Sequence, residues 1–335
     1  MRKIKFTKEV LLIVILALLF ITLSILSPDR FLSVDNLQSM ASQLPEFGIM
    51  ALGMMVVLVT GGINLSLSST AALSGILGAF VLSKFNQSGN PMITVLVAIF
   101  VIILTALVCG AINGTVVSYI GVSPILTTLG TMTLFEGISL KFTQGGAISG
   151  FPDQFMWFGN ESFLGIPIQM YIFVFVIVAT VIKLEHTPWG LKVYMVGCNP
   201  TATNYSGINI KKVLLKVYLY SGLLCGLAAI IMISRYNSAK VDYGSSYMMQ
   251  SVAAAVLGGT DVSGGYGKVT GTVTAALILQ ILSSGLNILG VNRNVVDIIM
   301  GCILILVLTI NFISSKRTEI KGKNKAVKKV NAVSS

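Results

Sequence analysis

Charge is scarce in this chain. Only 10% of its residues are Asp, Glu, Lys or Arg, against about a quarter in soluble domains. Twelve residues are acidic, and the lone histidine is His186. One histidine at the end of an apolar run cannot serve a Ser/His/carboxylate set, and it reads as an ordinary interfacial residue. The four cysteines, Cys109, Cys198, Cys225 and Cys302, show no paired spacing, so neither a zinc site nor a disulfide framework is expected. A phosphate-binding loop is missing too. Val269 follows Gly267-Lys268 where Ser or Thr is required, and Val262 stands where the first Gly should be. The expectation is a non-catalytic chain that binds no metal, holds no cofactor and does not itself hydrolyse ATP.

Apolar residues are abundant. They make up 54% of the 335 residues, and the mean hydropathy is +0.87. The fold class expected is all-α: a polytopic integral membrane protein. Its net charge of +11 does not point to nucleic acid, because the basic residues flank the membrane. Four of the 23 lie before Glu9 and seven after Ile313, where basic charge sets orientation and can touch anionic lipid. Three regions follow: a basic cytoplasmic N-terminus (1–9), a transmembrane domain (10–315) and a basic cytoplasmic tail (316–335).

Ten spans can be drawn, with both termini cytoplasmic. Val10–Leu26 is the first, retained because no small-residue cleavage site follows. Phe31–Pro45 is amphipathic and expected on the outer surface, ahead of a second span over Glu46–Thr60. Further spans are expected at Thr70–Leu82, Met92–Ile112, Ile125–Leu140, Ile168–Ile182, Val213–Ile233, Val269–Leu289 and Val295–Ile313. Met248–Leu257 is too short to cross a core of about 30 Å unaided. Eight spans remain an alternative if short segments are re-entrant. The external stretch Gly145–Pro167 carries Phe151, Phe155, Trp157 and Phe158, a candidate aromatic belt. Summed over the ten-span arrangement, basic residues divide 17 inside to 6 outside, as expected of a bacterial cell-membrane protein in this orientation.

Two glycine-rich breaks interrupt the apolar runs: Gly61-Gly-Ile-Asn64-Leu-Ser66-Leu-Ser-Ser-Thr70 and Gly258-Gly259-Thr260-Asp-Val-Ser-Gly-Gly-Tyr-Gly267. Broken helix at membrane depth is tolerated only when buried in protein or lining a cavity. Asn64, Ser66, Gly258, Gly259 and Thr260 are therefore candidates to line or gate a translocation path. Val57–Ser66 and Ala254–Ser263 also echo each other, as transporter repeats do. Glu46, Glu136 and Asp297 read as lying near span ends, so no intramembrane carboxylate is expected. Ion-coupled carriers usually keep one; the uncharged polar interior here suits a neutral, polyhydroxy solute. Thr127, Thr131, Ser221 and Thr272 read as helix-to-helix glue.

The polar stretch 185–212 stands between two spans and carries Lys192, Lys211 and Lys212. Within it a short helix is expected: Asn199 caps it, Pro200 fits its first turn, and Gly207 ends it. A short helix on a cytoplasmic loop suits docking to a soluble partner.

Several motifs carry a resemblance. Gly61-Gly-Ile-Asn-Leu-Ser66 is similar to the GGIDLS of ribose-type ABC transporter permeases, and His186-Thr-Pro-Trp-Gly190 to their HTxxG. Ser206-Gly207-Ile208-Asn209 resembles the end of their coupling segment, close to GNxxAAxxSGIN. Leu257–Gly267 resembles LGGTSLxGGxG, and Asn287–Val291 resembles the end of NGLNLLGV. The order holds from about residue 10 to 313. The resemblance implies a type II importer-like fold and the permease subunit of an ATP-driven sugar importer working by alternating access. It also implies a cytoplasmic ABC ATPase (often tandem), which would carry the ATP and Mg, an extracytoplasmic solute-binding protein, and a second permease copy or paralogue. Asn199, Pro200, Ala202, Ser206, Gly207, Ile208 and Asn209 are the implied ATPase-coupling residues. Asn64 replaces the usual Asp, Pro200 the usual Glu, and Asn204 a common basic residue, leaving a less charged docking surface. The alternative is a stand-alone channel or secondary carrier.

Overall fold

The computed structural model describes residues 8–85, 90–292, 294–306, 308 and 309. The basic tail and most of the basic N-terminus fall outside these residues, as do 86–89 of the expected outer loop and the end of the tenth expected span. The helices are α1 (Lys8–Leu26), α2 (Pro28–Phe31), α3 (Val34–Leu58), α4 (Leu67–Phe85) and α5 (Pro91–Thr115). After a π-helical turn at Val116–Ile120 come α6 (Pro124–Thr143), α7 (Asp153–Asn160), α8 (Ile168–Glu185), α9 (Pro188–Cys198) and α10 (Pro200–Tyr205). The chain continues through α11 (Ile210–Tyr236), α12 (Ser245–Leu257), α13 (Val269–Ile288) and α14 (Asn294–Leu306). Two small antiparallel pairs complete it: β1 (Ile148–Ser149) with β4 (Ser238–Ala239), and β2 (Ser162–Phe163) with β3 (Ile166–Pro167).

Each expected span overlaps a helix among the described residues. Among the described residues, six (α3, α4, α5, α8, α11 and α13) are long and apolar enough to cross a membrane; Val10–Leu26 and Asn294–Leu306 are shorter apolar helices. Local chemistry sets the starts. Ser33, Asn90, Thr187, Asn199 and Asn209 each accept a backbone N–H from the first turn of the helix they cap. Proline occupies the opening turn of α5, α9 and α10, where its missing N–H leaves no donor unpaired.

Two helices form the centre. Within the most apolar windows of α3 and α11, 83% of residues are buried, against 33% in α5 and α8. From Leu44 to Val59 every residue is buried. A helix apolar on all sides belongs inside a bundle. Small residues bring α5 against α11: a Cβ on Gly110 would press on the Tyr218 carbonyl, and one on Gly222 on the Ala106 carbonyl. The peripheral helices turn Leu96, Phe100, Leu126, Val174 and Phe175 outward, a surface suited to lipid.

Three expectations need correction. The amphipathic stretch Phe31–Pro45 and the span after it are not separate: α3 runs unbroken through Pro45, as spanning helices permit when neighbours compensate the lost hydrogen bond. Glu46 is therefore mid-helix and fully buried rather than at a span end. Its carboxylate accepts from Arg235 Nε (2.5 Å) and Nη2 (3.1 Å), and from the Tyr247 hydroxyl (3.3 Å). The ion pair joins α3 to α11, and Tyr247 adds α12. Lastly, Phe151 and Phe155 do not sit in an aromatic belt but enter the core. They are drawn in because α7 packs on the end of α11, where Ser234 Oγ donates to the Phe155 carbonyl (2.7 Å). Trp157 alone of the four aromatics stays exposed.

Candidate translocation gate and coupling segment

The first break follows α3. Gly61 N donates to Leu58 O (2.8 Å) and Gly62 N to Val57 O (3.3 Å), with Gly61 at φ +80°. That is a Schellman cap, which satisfies the last carbonyls and turns the chain through a left-handed residue. The second break, after α12, repeats it. Gly259 N donates to Val256 O (3.0 Å) and Thr260 N to Ala255 O (3.0 Å), with Gly259 at φ +93°. The two breaks thus share one hydrogen-bond pattern, displaced by one residue from the echo seen in the sequence: Gly61 corresponds to Gly259, not Gly258. Gly258 serves close packing instead, since a Cβ there would strike the Gly271–Thr272 backbone.

Asn64 and Ser66 lie just beyond the first break, both buried. Asn64 Oδ1 accepts from Ser66 N (3.2 Å) and Ser66 Oγ (2.8 Å), while Asn64 Nδ2 donates to Ser221 Oγ (3.2 Å). Asn113 Nδ2 donates to Ser66 Oγ (2.7 Å), and Thr131 Oγ1 to Asn113 Oδ1 (2.6 Å). Thr128 Oγ1 accepts from Leu65 N (3.0 Å). One continuous network thereby ties the break to α5, α6 and α11. Thr131 and Ser221 act as the helix glue expected of them. Asn113 and Thr128 were missed; a lone Asn in an apolar run was the available signal. Thr260 is buried, its hydroxyl without a hydrogen-bond partner among the described residues.

The two breaks touch. Gly265 N donates to Val59 O (2.8 Å), and a Cβ on Gly61 would stand 3.2 Å from the Ser263 carbonyl. Against this seam lies α9. A Cβ on Gly197 would collide with both Val59 O and Gly265 N, Tyr194 donates its hydroxyl to Gly267 O (2.8 Å), and Cys198 Sγ donates to Gly265 O (3.5 Å). Burial, with Glu185 and Tyr266 nearby, pushes the Tyr194 phenol up to about 12, so it stays a donor at physiological pH. Nothing in the sequence singled out α9, because its buried Val193 and Val196 are dispersed in a polar stretch.

The short helix expected within the 185–212 stretch is present as α10. Asn199 Oδ1 accepts from Ala202 N (3.0 Å), and Thr203 Oγ1 reaches back to Met195 O in α9 (2.8 Å). A third Schellman cap ends it: Gly207 N donates to Asn204 O (3.0 Å) and Ile208 N to Thr203 O (3.4 Å), with Gly207 at φ +78°. Asn209 Oδ1 then caps α11 through Lys212 N (3.0 Å). Asn199, Pro200, Ala202, Ser206, Gly207 and Asn209 are exposed, and Ile208 is half-buried.

Residues 36–308 match the family model described as branched-chain amino acid transport system / permease component. The chain is 35% identical over 303 residues to the ribose import permease protein RbsC of Escherichia coli (strain K12), covering 89% of this chain and 92% of that one. It is 34% identical over 325 residues to the autoinducer 2 import system permease protein LsrD of the same organism, covering 95% and 96%. No solved structure matches.

Proposed function

The chain belongs to the family of branched-chain amino acid transport system permease components, and from that premise we propose that it is the membrane-spanning subunit of an ATP-driven importer for a small neutral polar solute, a monosaccharide of the ribose type. It lies in the bacterial cell membrane in ten spans, with both termini and the 185–212 loop cytoplasmic. A cytoplasmic ATPase carries the ATP and Mg and docks on α10. A solute-binding protein delivers from outside, and a second copy or paralogue completes the pathway.

One observation carries the reading: α9 is bonded to the second break and presses on the seam between both. Movement of α10, linked to α9 through Thr203, would therefore reach Gly61 and Gly259 without passing through any span. Asn64 and Ser66 hold the first break to the bundle, and Gly258, Gly259 and Thr260 form the second. The buried Glu46 is matched by Arg235, leaving an uncharged interior for the solute. Reconstitution with the ATPase and solute receptor in liposomes tests this. Uptake of a radiolabelled pentose should need ATP inside the ATPase-facing compartment; uptake without the ATPase, driven by membrane potential, would establish a carrier instead.

A further inference from the structure

Between α9 and the start of α11, at the turn that follows α10, there is a cavity of about 260 Å³. Trp189, Lys192, Lys212 and Lys216 line it together with the Gly207–Asn209 turn. The volume is several times the ~30 Å³ share of one water. The two ion pairs among the described residues, Glu46–Arg235 and Lys240–Asp242, both lie elsewhere, so these three ammonium groups face the cavity without a carboxylate partner. Lys183 adds a fourth positive charge close by, its Nζ lying 4.4 Å from the Tyr220 ring centre and 5.6 Å from that of Trp189.

Trp189 forms part of the cavity wall. The Trp189 indole N–H is buried and has no hydrogen-bond partner among the described residues. Buried donors are seldom left unpaired. Three lysines line the cavity with no carboxylate paired to them among the described residues. Such a lining suits an anion rich in acceptor oxygens.

We propose that this cavity binds a phosphate group, the chemistry that a phospholipid headgroup and a free phosphate share. Position favours the lipid. Lys216 lies six residues into α11, about 9 Å along its axis, a depth at which a lysine on a spanning helix meets headgroups. Basic pockets between spanning helices at the cytoplasmic face take anionic lipid in this way. A headgroup held here would brace the exit of α10 against α11. The proposal rests on the membrane-spanning, loop-inward reading above but not on the identity of the solute, and solute uptake is not its readout.

The experiment uses the full chain with Trp157 changed to Phe, which leaves Trp189 as the sole indole of the two. In one arm the protein is held in nanodiscs of phosphatidylglycerol or of phosphatidylcholine, released into detergent, and its retained lipid counted by native mass spectrometry. In the other, inorganic phosphate is titrated against Trp189 fluorescence in phosphatidylcholine alone. Phosphatidylglycerol should be retained and phosphatidylcholine lost. Lys192→Gln, Lys212→Gln and Lys216→Gln should each weaken retention roughly fivefold, the scale of one basic side chain near an anionic surface. Lys240→Gln, at a distant site, should leave it unchanged. A lysine-dependent fluorescence change with phosphate, without lipid retention, supports the site and assigns it a soluble phosphate. Equal retention of both lipids, or undiminished retention in the triple glutamine variant with no phosphate response, overturns the proposal. So does a requirement for the lysines only in capturing the ATPase, which would make the cavity a protein-docking site.

Discussion

The amide of Asn64 is oriented by a backbone donor. Ser66 N–H can only donate, so Asn64 must present its oxygen there and its nitrogen to Ser221. An Asp at this position keeps both acceptor contacts, and the Ser221 hydroxyl can turn to donate to it. Leu would leave the Ser66 amide and Ser221 hydroxyl buried without partners, at roughly 1–3 kcal/mol each. Asn64→Asp should therefore lower the melting temperature in detergent less than Asn64→Leu; the reverse order would mean the network does not hold the break. Gly207 offers a cleaner separation of strain from crowding. Its φ is +78°, yet nothing among the described residues lies within 4 Å of an added Cβ, so substitution there meets only the backbone penalty. Asn tolerates the left-handed region and Val does not. Gly207→Asn should keep ATPase co-purification, while Gly207→Val, strained by about 1 kcal/mol or more, should weaken it with little loss of protein in the membrane.

At the level of elements, α9 gives the sharpest expectation. Gly197→Val would drive a side chain into Val59 O and Gly265 N, parting the two breaks. ATP hydrolysis should continue in the assembled complex while uptake falls at least tenfold, roughly the effect of 1.4 kcal/mol in a coupling equilibrium; retained, tightly coupled uptake would show that α9 transmits nothing. Both breaks and α10 were legible in the sequence because their signals are local: glycine where φ must be positive, Asn-Pro where a helix begins. What escaped was long-range. Pro45-Glu46 reads as a boundary until Arg235, 189 residues later, is known to lie beside it. Phe151 and Phe155 look interfacial until α7 is seen to hang from Ser234. The register of the second break was also hidden, because adjacent glycines leave open which of them takes the left-handed turn.

For the whole molecule, the matter to be measured is sidedness. Cys198 and Cys302 are exposed, whereas Cys109 and Cys225 are buried. With Cys302 changed to Ser, a membrane-impermeant maleimide should label Cys198 in inverted vesicles and not in intact cells. The assembled ATPase should slow that labelling. Labelling from outside would reverse the orientation drawn from the 17 to 6 basic-residue split. Stability has its whole-molecule test in the Glu46–Arg235 pair, which ties α3 to α11. Removing one partner of a buried pair costs about 3–5 kcal/mol, whereas replacing both with apolar residues is far milder. Arg235→Met should thus unfold at lower temperature than the Glu46→Leu, Arg235→Met double variant.

That same pair also sets a clock on synthesis. Glu46 enters the membrane with α3, but its counter-charge has yet to be made. At about 5–20 residues per second, the 189 residues between them take on the order of ten to forty seconds. Through that interval α3 carries an acidic side chain whose place at a helix centre is disfavoured by about 2.5–3.5 kcal/mol. The newborn helix would therefore wait beside the insertion machinery or a chaperone, and commit to the bilayer only when α11 emerges.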